Sequence, residues 1–279
     1  MIANKYKVVE KINEGVFGIV FKAENIRTKE MVAIKFENKL NEIKSLKNEA
    51  KIYQYLGKLN GFPQIKYFGT IDTFNYLVLD LLGNSLINTI TYYEKLSLKT
   101  TLILGICIIS RLQCLHNKCL LHRDIKPANF VFGKEKDTNN LYLIDFGFAK
   151  RFDYNGKHIE KNNIRQIIGS MNYVSLNIHN YFEPSRRDDI ESCIFVILTM
   201  LIGKLDWFYK TNIDEIKLLK KNITTNIYIP SFIQNMLYHV RTLAFDETPD
   251  YEYLIHLMKN EFDMNCFEND GKFEWNYTI

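Results

Sequence analysis

Proline and glycine are scarce in this chain of 279 residues, with five and thirteen copies. That excludes collagen-like and Pro/Gly-rich low-complexity sequence. Cysteine is scarce too: Cys107, Cys114, Cys119, Cys193 and Cys266 are odd in number, and no C-x-x-C pair occurs. This argues against a zinc or dithiol motif and a disulfide framework, and fits a reducing compartment. Long apolar runs are missing. The longest, Cys193 to Gly203, is well short of the roughly 20 residues of a membrane helix and reads as a buried helix. The opening residues, Met1 to Lys7, lack the apolar stretch of a signal peptide. Excess charge is small, 36 Lys+Arg against 32 Asp+Glu, a formal +4. It suits acidic or phosphorylated partners and gives no case for nucleic acid. What is present, 47% hydrophobic and 24% charged residues, belongs to a chain that buries a core. The expectation is an intracellular protein, cytoplasmic or nuclear, monomeric and with no membrane attachment.

The chain changes texture along its length. Tyr6–Ile12, Ile19–Ala23, Met31–Phe36, Ile65–Thr70 and Tyr76–Leu79 are short β-branched and aromatic runs separated by turn signals, as in antiparallel strands. One helix is predicted among them, over Asn41–Leu56. Beyond Gly83 the pattern turns helical: Leu102, Ile106, Ile109 and Leu112 recur at helical spacing within Leu98–Leu120, and Ile190–Leu201 and Ser231–Leu243 are further helices. Gly83 reads as a joint. The predicted architecture is α+β, with a small β-rich lobe of five strands and one helix (1–82) and a larger helical lobe (83–279).

Three stretches carry chemistry. In Ile12-Asn13-Glu14-Gly15-Val16-Phe17-Gly18-Ile19-Val20, a glycine turn between two strands lets backbone N–H groups approach an anion; hairpin turns show the same pattern, so alone it is weak. Val32-Ala33-Ile34-Lys35 places a lysine in an apolar strand, where its ammonium needs an anion unless it faces solvent. Glu49, on the predicted helix, is a carboxylate partner for it. The third stretch is the most specific. Leu121-His122-Arg123-Asp124-Ile125-Lys126-Pro127-Ala128-Asn129 is followed by Leu143-Ile144-Asp145-Phe146-Gly147. Phe130–Phe132 and Leu141–Ile144 read as a hairpin that brings Asn129 and Asp145 to one end, an amide oxygen and a carboxylate suited to Mg²⁺. Asp124 can accept a hydroxyl proton, and Lys126 can neutralise a transferring phosphoryl group. The ordered set H-R-D-x-K-x-x-N and D-F-G after V-A-I-K is a phosphoryl-transfer signature. His116 and His122 read as structural, and Cys107 and Cys114 as apolar fillers of a buried helix.

With these motifs the sequence resembles a eukaryotic protein kinase, and more closely the casein kinase 1 family. Asp80-Leu81-Leu82-Gly83-Asn84-Ser85-Leu86 is similar to that family's hinge. Tyr173 to His179 resembles its Y-A-S-I-N-T-H, Ser185 to Ser192 its S-R-R-D-D-L-E-S, and Phe245 to Tyr251 its F-D-D-K-P-D-Y. Phe273-Glu274-Trp275-Asn276 looks like its F-D-W-N, so the likeness runs from about Tyr6 to Trp275. The resemblance implies the two-lobed kinase fold with ATP between the lobes, Mg²⁺, and transfer of the γ-phosphate to Ser/Thr hydroxyls of protein substrates. By motif, Lys35 holds the α- and β-phosphates and pairs with Glu49. Asp124 is the base, Lys126 contacts the γ-phosphate, and Asn129 and Asp145 hold the metal. Ile12 to Val20 and Ala33 line the nucleotide, Leu79 is the gatekeeper, and Asp80 to Leu82 present backbone groups to the adenine. Lys126 favours Ser/Thr over Tyr.

The chain departs from the family at Asn13, in the first glycine position, where Asn tolerates positive φ; at Ala128; and at Asn172, where relatives carry an Arg that reads a priming phosphate. Arg123, Lys150 and Arg165 fall where the family gathers positive charge, a candidate anion cluster. The expectation is an acidic substrate preference with less need for priming. The chain ends soon after the last family motif and the activation segment has few hydroxyl residues, from which constitutive activity is expected. A pseudokinase or scaffold is the alternative, and a small-molecule phosphotransferase a more distant one.

Overall fold

The structure, a computed structural model, describes residues 2–15, 18–41, 44–134 and 137–276. It divides into two compact units, Met1–Asn84 with Val131–Phe148, and Ser85–Phe130 with Ala149–Ile279.

In the first unit, β1 (Tyr6–Gly15), β2 (Gly18–Asn25), β3 (Met31–Asn38), β4 (Ile65–Ile71) and β5 (Phe74–Asp80) form one antiparallel sheet in the order β1-β2-β3-β5-β4. Strand alternation decides its faces. Val32 and Ile34 of β3 join Ala23, Tyr76 and Val78 in a buried cluster, which leaves Ala33 and Lys35 on the opposite face. Helix α1 (Leu46–Leu56) begins five residues later than the periodicity predicts; Glu42 and Ile43 of the predicted span lie outside the described residues. The start is fixed by a distant residue: buried Glu37 of β3 accepts the backbone N–H groups of Ser45 and Leu46 at 2.7 and 2.8 Å, capping the helix with a carboxylate. Leu46, Glu49, Ala50 and Tyr53 then share the buried face.

The second unit starts with α2 (Leu86–Tyr93) and α3 (Leu98–Asn117), each with a serine N-cap, Ser85 and Ser97, that accepts a backbone N–H of the first turn. Helix α3 stops short of the predicted Leu120. Cys119, at φ 57°, turns the chain into β6 (Leu120–Leu121). Cys107 and Cys114 on α3 are half-buried, a correction to the buried fillers expected. Among the described residues, α3 is long and apolar enough to cross a membrane by length and composition, and half of its apolar window is buried. The chain passes back to the first unit through β7 (Phe130–Phe132) and β8 (Leu141–Leu143), which pair as the predicted hairpin. β9 (Lys150–Arg151) pairs antiparallel with β6. Helices α4 (Leu176–His179), α5 (Arg186–Ile202), α6 (Ile213–Asn222), α7 (Ser231–Thr242) and α8 (Tyr251–Met264) complete the unit. Every residue of α5 from Arg187 to Met200 is buried, including Asp188, Asp189 and Glu191, as suits a helix enclosed by α3 and α7. A Ser185/Asp188 capping box sets its start.

Candidate active site

Each unit carries a separate set of the residues singled out by the sequence. In the first, the Lys35 ammonium lies 2.8 Å from Glu49 Oε2 and 2.8 Å from Asp145 Oδ1. The side chains are 11%, 1% and 23% exposed, so this is a largely desolvated triad and not a surface pair. Burial works against the Lys35 charge, but the two carboxylates outweigh it and hold its pKa above the usual range. Burial pushes the Glu49 carboxyl up to about 7 against the pull of Lys35. Asp145 adopts φ 67°, a conformation that costs a non-glycine residue about 1–3 kcal/mol and persists where surroundings impose it. Those surroundings are visible: Asp145 N donates to Tyr53 Oη at 3.1 Å, and Phe146, fully buried, packs edge-on to Tyr53 and against Phe62.

In the second unit, β6 leads directly into His122-Arg123-Asp124. Asp124 is 3% exposed, and both carboxylate oxygens are held. Lys126 Nζ donates to Oδ2 at 2.7 Å and the Ser170 hydroxyl to Oδ1 at 2.7 Å. Asn129, on a single 3₁₀ turn begun by Pro127, donates its amide N–H to Asp124 O at 2.8 Å, which leaves its amide oxygen as an acceptor. The loop is anchored from beneath by buried Asp189 of α5, which accepts His122 N at 2.7 Å and Arg123 N at 2.9 Å and contacts His116 Nε2 at 3.1 Å. Arg123 takes φ 65° under this constraint. Burial lowers the His116 pKa while Asp189 raises it, and Nδ1 contacts Tyr251 Oη at 2.6 Å, the structural role expected for this histidine.

The anion cluster differs from expectation. Lys150 Nζ is 2.7 Å and Arg123 Nη1 3.9 Å from Glu183 Oε1, so a carboxylate of the chain already sits with two of the three cations; Arg165 is exposed. In the glycine stretch, Val16 and Phe17 lie outside the described residues. Asn13 does not use positive φ: it is a strand residue opposite Val20, and its Oδ1 accepts Glu14 N at 2.8 Å. Gly18 is required for packing, because a Cβ there would lie 1.7 Å from Phe36 O. Ile12 and Glu14 stand on β1, and Ile19 on β2. Ala33 pairs with Leu79 in the sheet. Of the residues expected at the hinge, Asp80 spends its N–H on Gln64 O at 3.2 Å and Gly83 its own on Phe132 O at 2.7 Å. Leu82 makes no backbone hydrogen bond among the described residues.

Motif reading missed Ser170, Asp189, Glu183 and Tyr53 as parts of these sets. Only Asp189 lay in a stretch that the sequence had singled out, Ser185 to Ser192, where it is one of two adjacent aspartates. Among the described residues no group of three or more His, Cys, Asp or Glu gathers to hold a metal; Asp145 in the first unit and Asn129 in the second each carry a hard oxygen of the kind Mg²⁺ takes.

A five-stranded antiparallel sheet with a Lys–Glu pair between strand and helix, followed by a helical part with an Asp-centred loop, defines the two-lobed α+β protein kinase fold. The family model of the protein kinase domain matches residues 6–265. The chain belongs to that family, and membership implies ATP as phosphoryl donor and proteins as acceptors.

Proposed function

We propose that this chain is a serine/threonine protein kinase of casein kinase 1 type that moves the γ-phosphoryl group of Mg-ATP to Ser/Thr hydroxyls. The observation that carries the reading is the formed Lys35–Glu49–Asp145 triad, the arrangement a kinase needs to hold phosphates and metal. Bound Mg²⁺ supplies charge neutralisation on the phosphates. Lys35 anchors the α- and β-phosphates. Asp145 and the Asn129 amide oxygen are the metal donors. Asp124 accepts the substrate hydroxyl proton as that oxygen bonds to the γ-phosphorus and the bond to the β-phosphate oxygen breaks. Lys126 offsets charge on the transferring group. The Leu82 amide is the backbone donor available to an adenine ring.

Glu183 beside Arg123 and Lys150 supports activity without a loop phosphate, since the cations already have an anion. Asn172 in place of an arginine supports a preference for acidic over primed sites. We place the enzyme as a monomer in a reducing, intracellular compartment.

The test is labelled phosphate incorporation into casein from Mg-ATP, beside Asp145→Asn and a primed/unprimed peptide pair. Ser/Thr labelling lost in the variant is expected, with the unprimed peptide used comparably. Nucleotide binding without transfer would favour the pseudokinase reading, and a many-fold gain from priming would remove the proposed specificity.

A further inference from the structure

Outside these sets, Lys220 is the most unusual charged side chain. Helix α6 is otherwise a surface helix, with only Ile216 and Lys220 buried. An apolar side chain would fill the position without the cost of desolvating an ammonium. The three N–H groups of Lys220 meet three acceptors: Val174 O at 2.6 Å, Met171 O at 3.0 Å and His179 Nε2 at 3.0 Å. The rings of Phe195 and Trp207 lie 4.9 and 5.4 Å from the nitrogen. Trp207 adds a donor of its own, its indole N–H to Asn172 O at 2.8 Å. The carbonyls of Met171, Asn172 and Val174 are thus held by two side chains from α6 and the stretch preceding it. This segment follows directly on Ser170, whose hydroxyl bonds Asp124.

We infer that Lys220 and Trp207 are positioning residues for the protein substrate: they clamp the backbone of Met171–Val174 so that this segment receives the acceptor peptide beside Asp124. The inference rests on the kinase reading, because it assigns the segment a substrate to receive. Neither residue touches the reacting atoms. Their effect falls on peptide affinity, while the nucleotide is handled by Lys35 and Asp145 of the other unit.

The clamp has a titratable member. Facing Lys220 are His179 of α4, Glu191 of α5 and Arg241 of α7, with Lys217 on its own helix; Arg241 is ion-paired to Glu191 at 2.8 Å and donates to Lys220 O at 2.9 Å. Burial brings the Lys220 pKa down to about 7, with Glu191 opposing and Arg241 adding to the shift. Burial and Lys220 hold His179 neutral, its pKa down to about 3. Below neutrality the ammonium offers three N–H groups to three acceptors. Above it the amine keeps two and loses its charge.

The experiment compares wild type, Lys220→Met and Trp207→Phe in steady-state kinetics with an acidic serine peptide from about pH 6 to pH 8.5, with hydrogen exchange of the 171–175 amides and thermal melting alongside. In wild type, peptide KM rises with pH and ATP KM stays level. Lys220→Met raises peptide KM about tenfold at low pH, removes its pH dependence, speeds exchange of the segment and leaves ATP KM within about twofold. Trp207→Phe keeps the ring and loses the indole N–H, so it raises peptide KM about three- to tenfold in a chain that still folds. Unchanged peptide KM and exchange in folded variants would overturn the inference. So would equal losses in both substrates' KM and in kcat. Should wild type transfer no phosphate, the kinase reading fails, and the exchange data still decide whether the clamp exists.

Discussion

Replacing Asp189 by asparagine tests whether the loop that carries Asp124 is held from below. The carboxylate accepts two backbone N–H groups, His122 at 2.7 Å and Arg123 at 2.9 Å, one on each oxygen, in a buried position. The amide has the same shape but a single acceptor oxygen, and its NH₂ faces the other donor. One hydrogen bond to a charged group, worth about 1.5–3 kcal/mol, is lost, and one buried N–H is stranded at about 1–3 kcal/mol. The sum is about 2.5–6 kcal/mol, which spans the about 3–5 kcal/mol seen when one partner of a buried charged pair is removed. At about 2–4 °C per kcal/mol for a chain of this size, the melting temperature falls by about 10 °C. Arg123, released from φ 65°, relaxes and carries Asp124 with it, so kcat drops about 100-fold even below the new melting point. Lys35, Glu49 and Asp145 belong to the other unit, so ATP affinity stays. Calorimetry, nucleotide titration and phosphate incorporation read the three quantities. A variant melting within about 2 °C of wild type with unchanged kcat would refute the argument, because it would mean those N–H groups lose nothing with the charge.

Lys35→Met leaves buried Glu49 and Asp145 without their cation; phosphate incorporation is expected to fall below about 1% of wild type, with a lowered melting temperature that Glu49→Gln in the same chain partly restores. Ser170→Ala removes the hydroxyl 2.7 Å from Asp124 and should lower kcat about tenfold, with Ser170→Thr retaining it, read from initial rates at saturating ATP. Acid stability follows from His179, whose pKa falls from 6.5 to about 3 on folding. Between those values the unfolded chain binds more protons, so stability rises with pH and is lost as pH drops from 6.5 toward 3. His116, also depressed by burial, adds in the same direction, and His179→Gln should flatten part of the slope in urea midpoints.

The five strands were legible because β-branched runs and turn residues carry local information, and all five lie within a few residues of the predicted spans. Helices α2, α6 and α8 were not predicted, although Ser85, Asn212 and Asp250 each cap one of them with a side-chain oxygen; their apolar periodicity is short and mixed with tyrosine and lysine, and caps alone give a start without a length. The late start of α1 was beyond sequence reading for a different reason. Its cap, Glu37, lies on the preceding strand, eight and nine residues from the groups it holds.

The candidate site divides along the same line between local and distant causes. Lys35, Asp124, Asn129 and Asp145 could be singled out because each stands in a short local motif, V-A-I-K, H-R-D-x-K-x-x-N or D-F-G. Ser170, Asp189 and Glu183 were not, because each acts on its partner from 46, 66 and 33 residues away, and nothing in a serine or a carboxylate announces that separation. Glu183 shows what this costs. Lysine and arginine placed as in an anion pocket read as a vacancy for phosphate, and whether they wait for a ligand depends on one carboxylate that the local pattern does not mention. The same reasoning sets apart the residues most worth substituting. Those that carry a motif suggest chemistry, whereas those that hold it in place are recognised only from a buried charge with its hydrogen-bond partners counted, as for Asp189 beneath the Asp124 loop and Lys220 behind Met171–Val174.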